Sequence, residues 1–171
     1  IFQHAYLHPN FDVEDNIKAP LVISDRKSGL NIDELIASAG LEGQKKRYIN
    51  DLSGGEQQRT AILRGLVKQV PVIIGDELTN NLDQDRARQL MGLFKNQVES
   101  GRSFLWVTHD IHLAAEYSDY IVTIKNGRVE VLKNPGNETD VLNLLRNGVE
   151  DNKRKTISLP EPEQNTMSFL E

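Results

Sequence analysis

Apolar positions along the chain change their spacing near Leu52. Upstream, residues 1–51 are polar and turn-rich. Their one clear helical pattern is Ile32 to Ala39, where Ile32, Leu35, Ile36 and Ala39 fall on one face before Gly40 can cap it. Downstream, Ser53 and Glu56 have the spacing of a capping box, which predicts a helix running to about Gln69. The β-branched run Val70 to Ile74 predicts a buried strand. A helix over Gln84 to Glu99 follows, with Asp83 as its N-cap and Ala87, Leu90, Met91, Phe94 and Val98 facing inward. Gly101 then breaks to a strand at Ser103 to Thr108, and Ile111 to Glu116 gives a short helix. Tyr120 to Lys125 and Arg128 to Leu132 read as a hairpin turned by Asn126-Gly127, and Thr139 to Arg146 as a last helix. Helix alternating with strand is the rhythm of a parallel sheet, so the fold class is α/β.

Composition narrows the class further. The 171 residues are enough for one sizeable core, and 38% hydrophobic with 26% charged residues is the balance of a water-exposed globular chain. A net charge of -5, with no dense cluster of Lys and Arg, makes nucleic acid an unexpected partner. The absence of cysteine removes disulfides and thiolate metal sites. The longest apolar stretch is broken by Pro71 and falls far short of the roughly 20 residues that cross a membrane. Beyond Asn147 the chain is charged, Pro-bearing and poor in large apolar side chains, which predicts a mobile tail over residues 148–171.

Two segments carry candidate chemistry. In Leu52-Ser53-Gly54-Gly55-Glu56-Gln57-Gln58-Arg59, a hydroxyl and two glycines at a capped helix start leave bare backbone N–H groups aimed at an anion such as a γ-phosphate. Ser53 and Glu56 alone would be an ordinary capping box. The apolar strand leading into Asp76-Glu77 places two carboxylates at the C-terminal edge of a sheet, where ligands of open α/β folds bind. Asp76 suits Mg²⁺, directly or through water, and Glu77 suits orienting or deprotonating the water that attacks a phosphate; alone, such a pair could equally cap the next turn.

The eight-residue string from Leu52 resembles the signature motif of ATP-binding-cassette (ABC) ATPases, and the strand ending in Asp76-Glu77 resembles their Walker B motif. Asn81-Leu82-Asp83 stands where that family has its D-loop, Thr108-His109 where it has its H-loop, and Ile1-Phe2-Gln3 looks like its Q-loop. All five segments occur in the family's order, over roughly Ile1 to Leu132. The resemblance implies a P-loop NTPase-type ABC ATPase core, a parallel sheet with flanking helices, plus a helical subdomain. Residues 1–51 would hold the Q-loop and helical subdomain, 52–132 the catalytic core, and 133–147 a C-terminal helix. It further implies ATP and Mg²⁺ as cofactors, with Glu77, His109 and Gln3 catalytic and Asp76 with Gln3 toward the metal. Ser53, Gly54, Gly55, Glu56 and Asp83 would meet nucleotide across a head-to-tail dimer with a second ABC ATPase. The same resemblance implies transmembrane permease subunits as partners and a peripheral place on the cytoplasmic face of the membrane. Thr79 to Asp83 is most similar to the macrolide-export and lipoprotein-release branch.

The chain departs from the family pattern in one large respect. It has no Gly-x-x-x-x-Gly-Lys-Ser/Thr string, the Walker A loop that cradles the phosphates and precedes the Q-loop in the family. The sequence therefore reads as a fragment whose ATP site is incomplete and which is inactive alone. The first strands would be missing too, which would split the sheet between the Ser103 and Tyr120 strands. Smaller departures are Leu78 where the family usually has proline, and Ile49 where a proline often precedes the signature. Two other readings compete: a cytosolic ABC-type ATPase acting in DNA repair or translation, and a degenerate cassette serving only as a binding module. The first lacks the coiled-coil insertion or tandem cassette expected of it, and the second sits poorly with an intact Glu77 and His109.

Overall fold

The computed structural model describes residues 1–2, 4–24, 29–80, 82–125, 128–147 and 155–156. They divide into two compact units, 1–109 and 110–171.

The first unit opens with helix α1 (Val13–Ser24) and helix α2 (Ile32–Ser38), then 3₁₀ turns at Glu42–Gln44 and Ile49–Asp51. Helix α3 (Gly54–Leu66), strand β1 (Val72–Asp76), helix α4 (Gln84–Glu99) and strand β2 (Ser103–Val107) complete it. Helix α1 was not foreseen in the turn-rich reading of residues 1–51. Pro20 lies inside it and its outer residues Val22 and Ile23 are exposed, so its apolar period is short. Tertiary burial makes it a helix: Val13 and Ile17 are fully buried, and α1 packs along α3, whose Ile62, Leu63 and Leu66 are equally inaccessible.

A polar frame fixes the start of α1. Buried Asn16 donates from Nδ2 to the carbonyls of His8, Phe11 and Asp12 and accepts the His8 N–H at 2.8 Å, tying the preceding loop to the helix. Val13 and Glu14 donate their N–H groups to the carbonyls of Arg47 and Lys45. Glu14, largely buried, meets Lys18 and lies 2.7 Å from Lys46 and 3.6 Å from Lys45, while Lys45 reaches Asp33 at 2.5 Å. Hydrogen bonds from Lys18 and then Lys46 hold its carboxyl down at about 2, against the desolvation that would raise it. Helix α2 ends as its sequence predicts, with Gly40 at φ +63° and Leu41 N–H closing back on the Ile36 carbonyl at 3.1 Å.

β1 and β2 pair in parallel, with Ile73 opposite Phe104 and Gly75 opposite Trp106. On that face Phe94 of α4 stacks on Phe104 with ring centroids 4.1 Å apart, over buried Ile73. The other face carries Val72, Ile74, Leu105 and Val107, between 51% and 60% exposed. The fully buried strand expected from its β-branched run is thus buried on one face only, because a parallel strand needs a layer on each side and the described residues supply one. Along its second edge β1 takes the Ile1 amino group on the Ile74 carbonyl (2.6 Å) and gives its Asp76 N–H to the Ile1 carbonyl (3.1 Å).

The second unit contains helix α5 (Ile111–Tyr117), capped by Asp110, and strands β3 (Tyr120–Lys125) and β4 (Arg128–Lys133) paired antiparallel. Helix α6 (Glu138–Asn147) follows. The expected Asn126-Gly127 turn lies outside the described residues. In the segment expected to be a mobile tail, Lys155–Thr156 forms a short strand, β5, against Glu130 and Val131 of β4; residues 148–154 and 157–171 lie outside the description. Strand pairing among the described residues gives two sheets, β1-β2 in the first unit and β3-β4-β5 in the second.

Candidate active site

The start of α3 is built locally. Ser53 has extended backbone and its Oγ accepts the Glu56 N–H at 3.3 Å, while Glu56 Oε2 accepts from Ser53 N–H (2.7 Å) and Ser53 Oγ–H (2.8 Å). Gln44 adds a donor to Glu56 Oε1 at 3.0 Å. The Ser53 backbone N–H, ahead of the Ser53 hydroxyl, holds the Glu56 carboxyl below its ordinary range. Gln57 donates to the carbonyls of Ile49 and Leu52 and locks the preceding 3₁₀ turn to the helix. Gln44 gave no signal in the sequence and Gln57 stood only as one letter of the eight-residue string, because these bonds start or end in irregular backbone. A methyl group at Gly54 would meet nothing within 4 Å, so this chain's own packing does not require glycine there.

The second group lies at the C-terminal ends of β1 and β2. Asp76 is exposed as the last residue of β1. Glu77 continues the pairing by donating its N–H to the Val107 carbonyl at 2.9 Å, then leaves the strand with φ +46°. Its side chain, 15% exposed, meets His109 Nε2 through Oε1 and Asn80 Nδ2 through Oε2. His109, just past β2, is 78% exposed and open to a ligand from outside. Two residues far apart in sequence and each singled out by motif are therefore brought into contact by the register of β1 on β2. Asn80 was not singled out.

The Leu78 departure is a packing residue: it is fully buried, and a methyl on Gly75 would stand 2.5 Å from Leu78 Cδ1. Gly75 is what lets the turn fold back on the strand. Beyond it Asp83 caps α4, accepting the Arg86 N–H at 2.9 Å and pairing with its guanidinium at 3.0 Å. The backbone N–H of Arg86, followed by its charge, holds the Asp83 carboxyl down. Arg59, buried on α3, senses both Glu56 and Asp83, and its burial lowers its own affinity for a proton. Gln3 lies outside the described residues, as does Asn81. The remaining histidines do other work: His4 stacks on Tyr6, His8 on Phe11, and His112 lies 3.7 Å from both Glu116 and Glu138.

Residues 1–80 match the family described as ABC transporter. Residues 1–80 belong to that family of ABC ATPases. The methionine import ATP-binding protein MetN of Bacillus subtilis is 34% identical over 96% of this chain and 48% of its own length. The lipoprotein-releasing system ATP-binding protein LolD of Bordetella avium is 37% identical over 75% of the chain and 57% of its own length. Macrolide-export relatives match as well. Among solved structures, the dimeric ATP-binding cassette MJ0796, in a post-hydrolysis state with ADP and phosphate, superposes with a TM-score of 0.68 and 33% identity. That match covers 80% of this chain and 63% of the cassette. The chain thus spans about half the length of the curated relatives MetN and LolD, and its fold is that of part of an ABC ATPase cassette. ATP hydrolysis is what the family implies.

The donor set fits magnesium and a polyphosphate. Mg²⁺ characteristically takes one or two carboxylates and completes its shell with phosphate oxygens and water. Asp76 offers a single exposed carboxylate, and no group of three or more metal-ligating side chains occurs among the described residues. The open space at Gly54 fits the close approach of a phosphate to backbone N–H groups.

Proposed function

We propose that this chain supplies the signature, Walker B, D-loop and H-loop part of the nucleotide-binding subunit of an ABC transporter, hydrolysing ATP to ADP and phosphate. The observation that carries the reading is the contact between Glu77 and His109 at the sheet edge beside Asp76. Bound nucleotide and magnesium supply the electrophilic phosphorus and the charge neutralisation its displacement needs. Asp76 would hold the metal, with Gln3 as a second group toward it. Glu77 orients the attacking water and takes its proton at a carboxylate oxygen, while His109 Nε2 holds the carboxylate and reaches toward the γ-phosphate.

Ser53, Gly54, Gly55 and Glu56 serve a nucleotide held by a second cassette in a head-to-tail dimer, with Asp83 coupling the two sites. What supports this is separation: the capping box lies at the start of α3, the acid edge at the ends of β1 and β2, and the similar cassette of known structure is dimeric. Residues 1–51 form the helical subdomain that answers to transmembrane permease subunits, which places the protein peripherally on the cytoplasmic face of the membrane. No helix among the described residues is long and apolar enough to cross a membrane. By itself the chain lacks the Walker A string and is expected to be inactive.

Calorimetric titration of MgATP, with steady-state phosphate release, tests this in the full-length protein that carries these residues. Binding together with turnover that disappears in Glu77→Gln is expected. Turnover that survives Glu77→Gln would remove Glu77 from its assigned role.

A further inference from the structure

Glu77 adopts φ +46°, a left-handed backbone that a long side chain enters at a cost, so the surrounding residues hold it there. Leu78 and Thr79 are both buried and pin the turn that follows. The turn closes when Asn80 N–H donates to the Glu77 carbonyl at 3.2 Å. Closure brings the Asn80 carboxamide back over the Glu77 side chain, where Nδ2 donates to Oε2 while His109 Nε2 faces Oε1. A glutamate has three side-chain torsions and, left alone, distributes its carboxylate over several directions. Contacts to both oxygens, one from the next turn and one from the end of a neighbouring strand, leave one direction. The amide donor of Asn80 suits a carboxylate oxygen, whereas an aspartate there would set like charges together.

We propose that Asn80 is a positioning residue for Glu77: its carboxamide fixes the carboxylate in the orientation from which the proton of the attacking water is taken. This rests on the reading of Glu77 as the base. Asn80 acts through Glu77, and its effect is felt in the step Glu77 performs and not in nucleotide affinity.

The contact itself is read in this chain by nuclear magnetic resonance of the Asn80 side-chain amide. In Glu77→Ala, loss of the acceptor should shift that resonance and speed its hydrogen exchange about tenfold. An unchanged amide would overturn the contact and with it the proposal. The consequence is read in the full-length protein, where Asn80→Ala should lower kcat for ATP about tenfold with KM changed less than twofold. Asn80→Gln, which keeps a donor on a longer arm, should recover part of kcat, and the isosteric Asn80→Asp should not. A wild-type kcat in Asn80→Ala overturns the proposal while leaving Glu77 as the base. Absence of turnover in the wild type would instead remove the reading of Glu77, and the resonance experiment would still decide whether Asn80 holds it. If Asn80→Ala fails to fold, as read by circular dichroism, the Glu77→Ala resonance decides alone.

Discussion

Under the proposed function the start of α3 and the ends of β1 and β2 both serve a nucleotide, and they are built by opposite means. At α3 the side chains of the cap are satisfied by one another and by the preceding turn: Ser53 and Glu56 bond each other, Gln44 closes the remaining oxygen, and Gln57 ties down the turn before. What remains for a ligand is backbone, the early N–H groups of a helix beside an unobstructed glycine. At the sheet edge the backbone is committed to strand pairing, with Glu77 N–H on the Val107 carbonyl, and the reactive groups are side chains. Their meeting depends on the parallel register of β1 on β2 and on a strained turn. A locally closed cap depends little on distant elements, whereas an edge assembled over distance is only as well aligned as the elements beneath it.

That contrast orders what substitution should do. The largest effect belongs to the edge: Glu77→Gln should lower turnover about 10²–10⁴-fold, the range for removing a general base, while nucleotide binding persists. Parallel steady-state rates and equilibrium titrations separate the two. Next is the packing under the edge, where Leu78→Ala leaves a void beside Gly75 and should cost about 2–5 kcal/mol of unfolding free energy in urea. The local site should yield least, with Ser53→Ala costing about 1 kcal/mol through the lost cap. If Ser53→Ala destabilised as much as Leu78→Ala, the start of α3 would not be the self-contained element described here.

Acid sharpens the comparison from a third region. Glu14 is held at about 2 by Lys18 and Lys46, well below its unfolded value of about 4.5. Its contribution to stability is complete above the unfolded value and fades as pH falls toward 2. The urea midpoint should therefore drop between pH 4.5 and 2 more steeply in the native protein than in Glu14→Gln; equal slopes would show that the lysine frame does not bear on the stability of α1.

Legibility in the sequence follows the same division. The capping box, the Asp83 cap and the Gly40 stop were readable because their partners lie within four residues. Glu77 and His109 were each readable from motif order, not from local chemistry, and their contact was not readable at all. Helix α1 was hidden because Pro20 and exposed Val22 and Ile23 break its period, and it depends on α3 for burial. The half-bare sheet was hidden because an apolar run states that a strand wants cover without stating whether cover is present. Asn80 gave no signal, since its reach to Glu77 depends on the left-handed backbone of Glu77 itself.

Single-turnover hydrolysis of ATP by the full-length protein, compared between wild type, Glu77→Gln and His109→Ala, addresses the sheet edge most directly. An edge that works as a unit predicts loss of the chemical step in both variants, with nucleotide still bound. A chemical step that proceeds at the wild-type rate in both would contradict it, leaving the contact between Glu77 and His109 a feature of the fold alone.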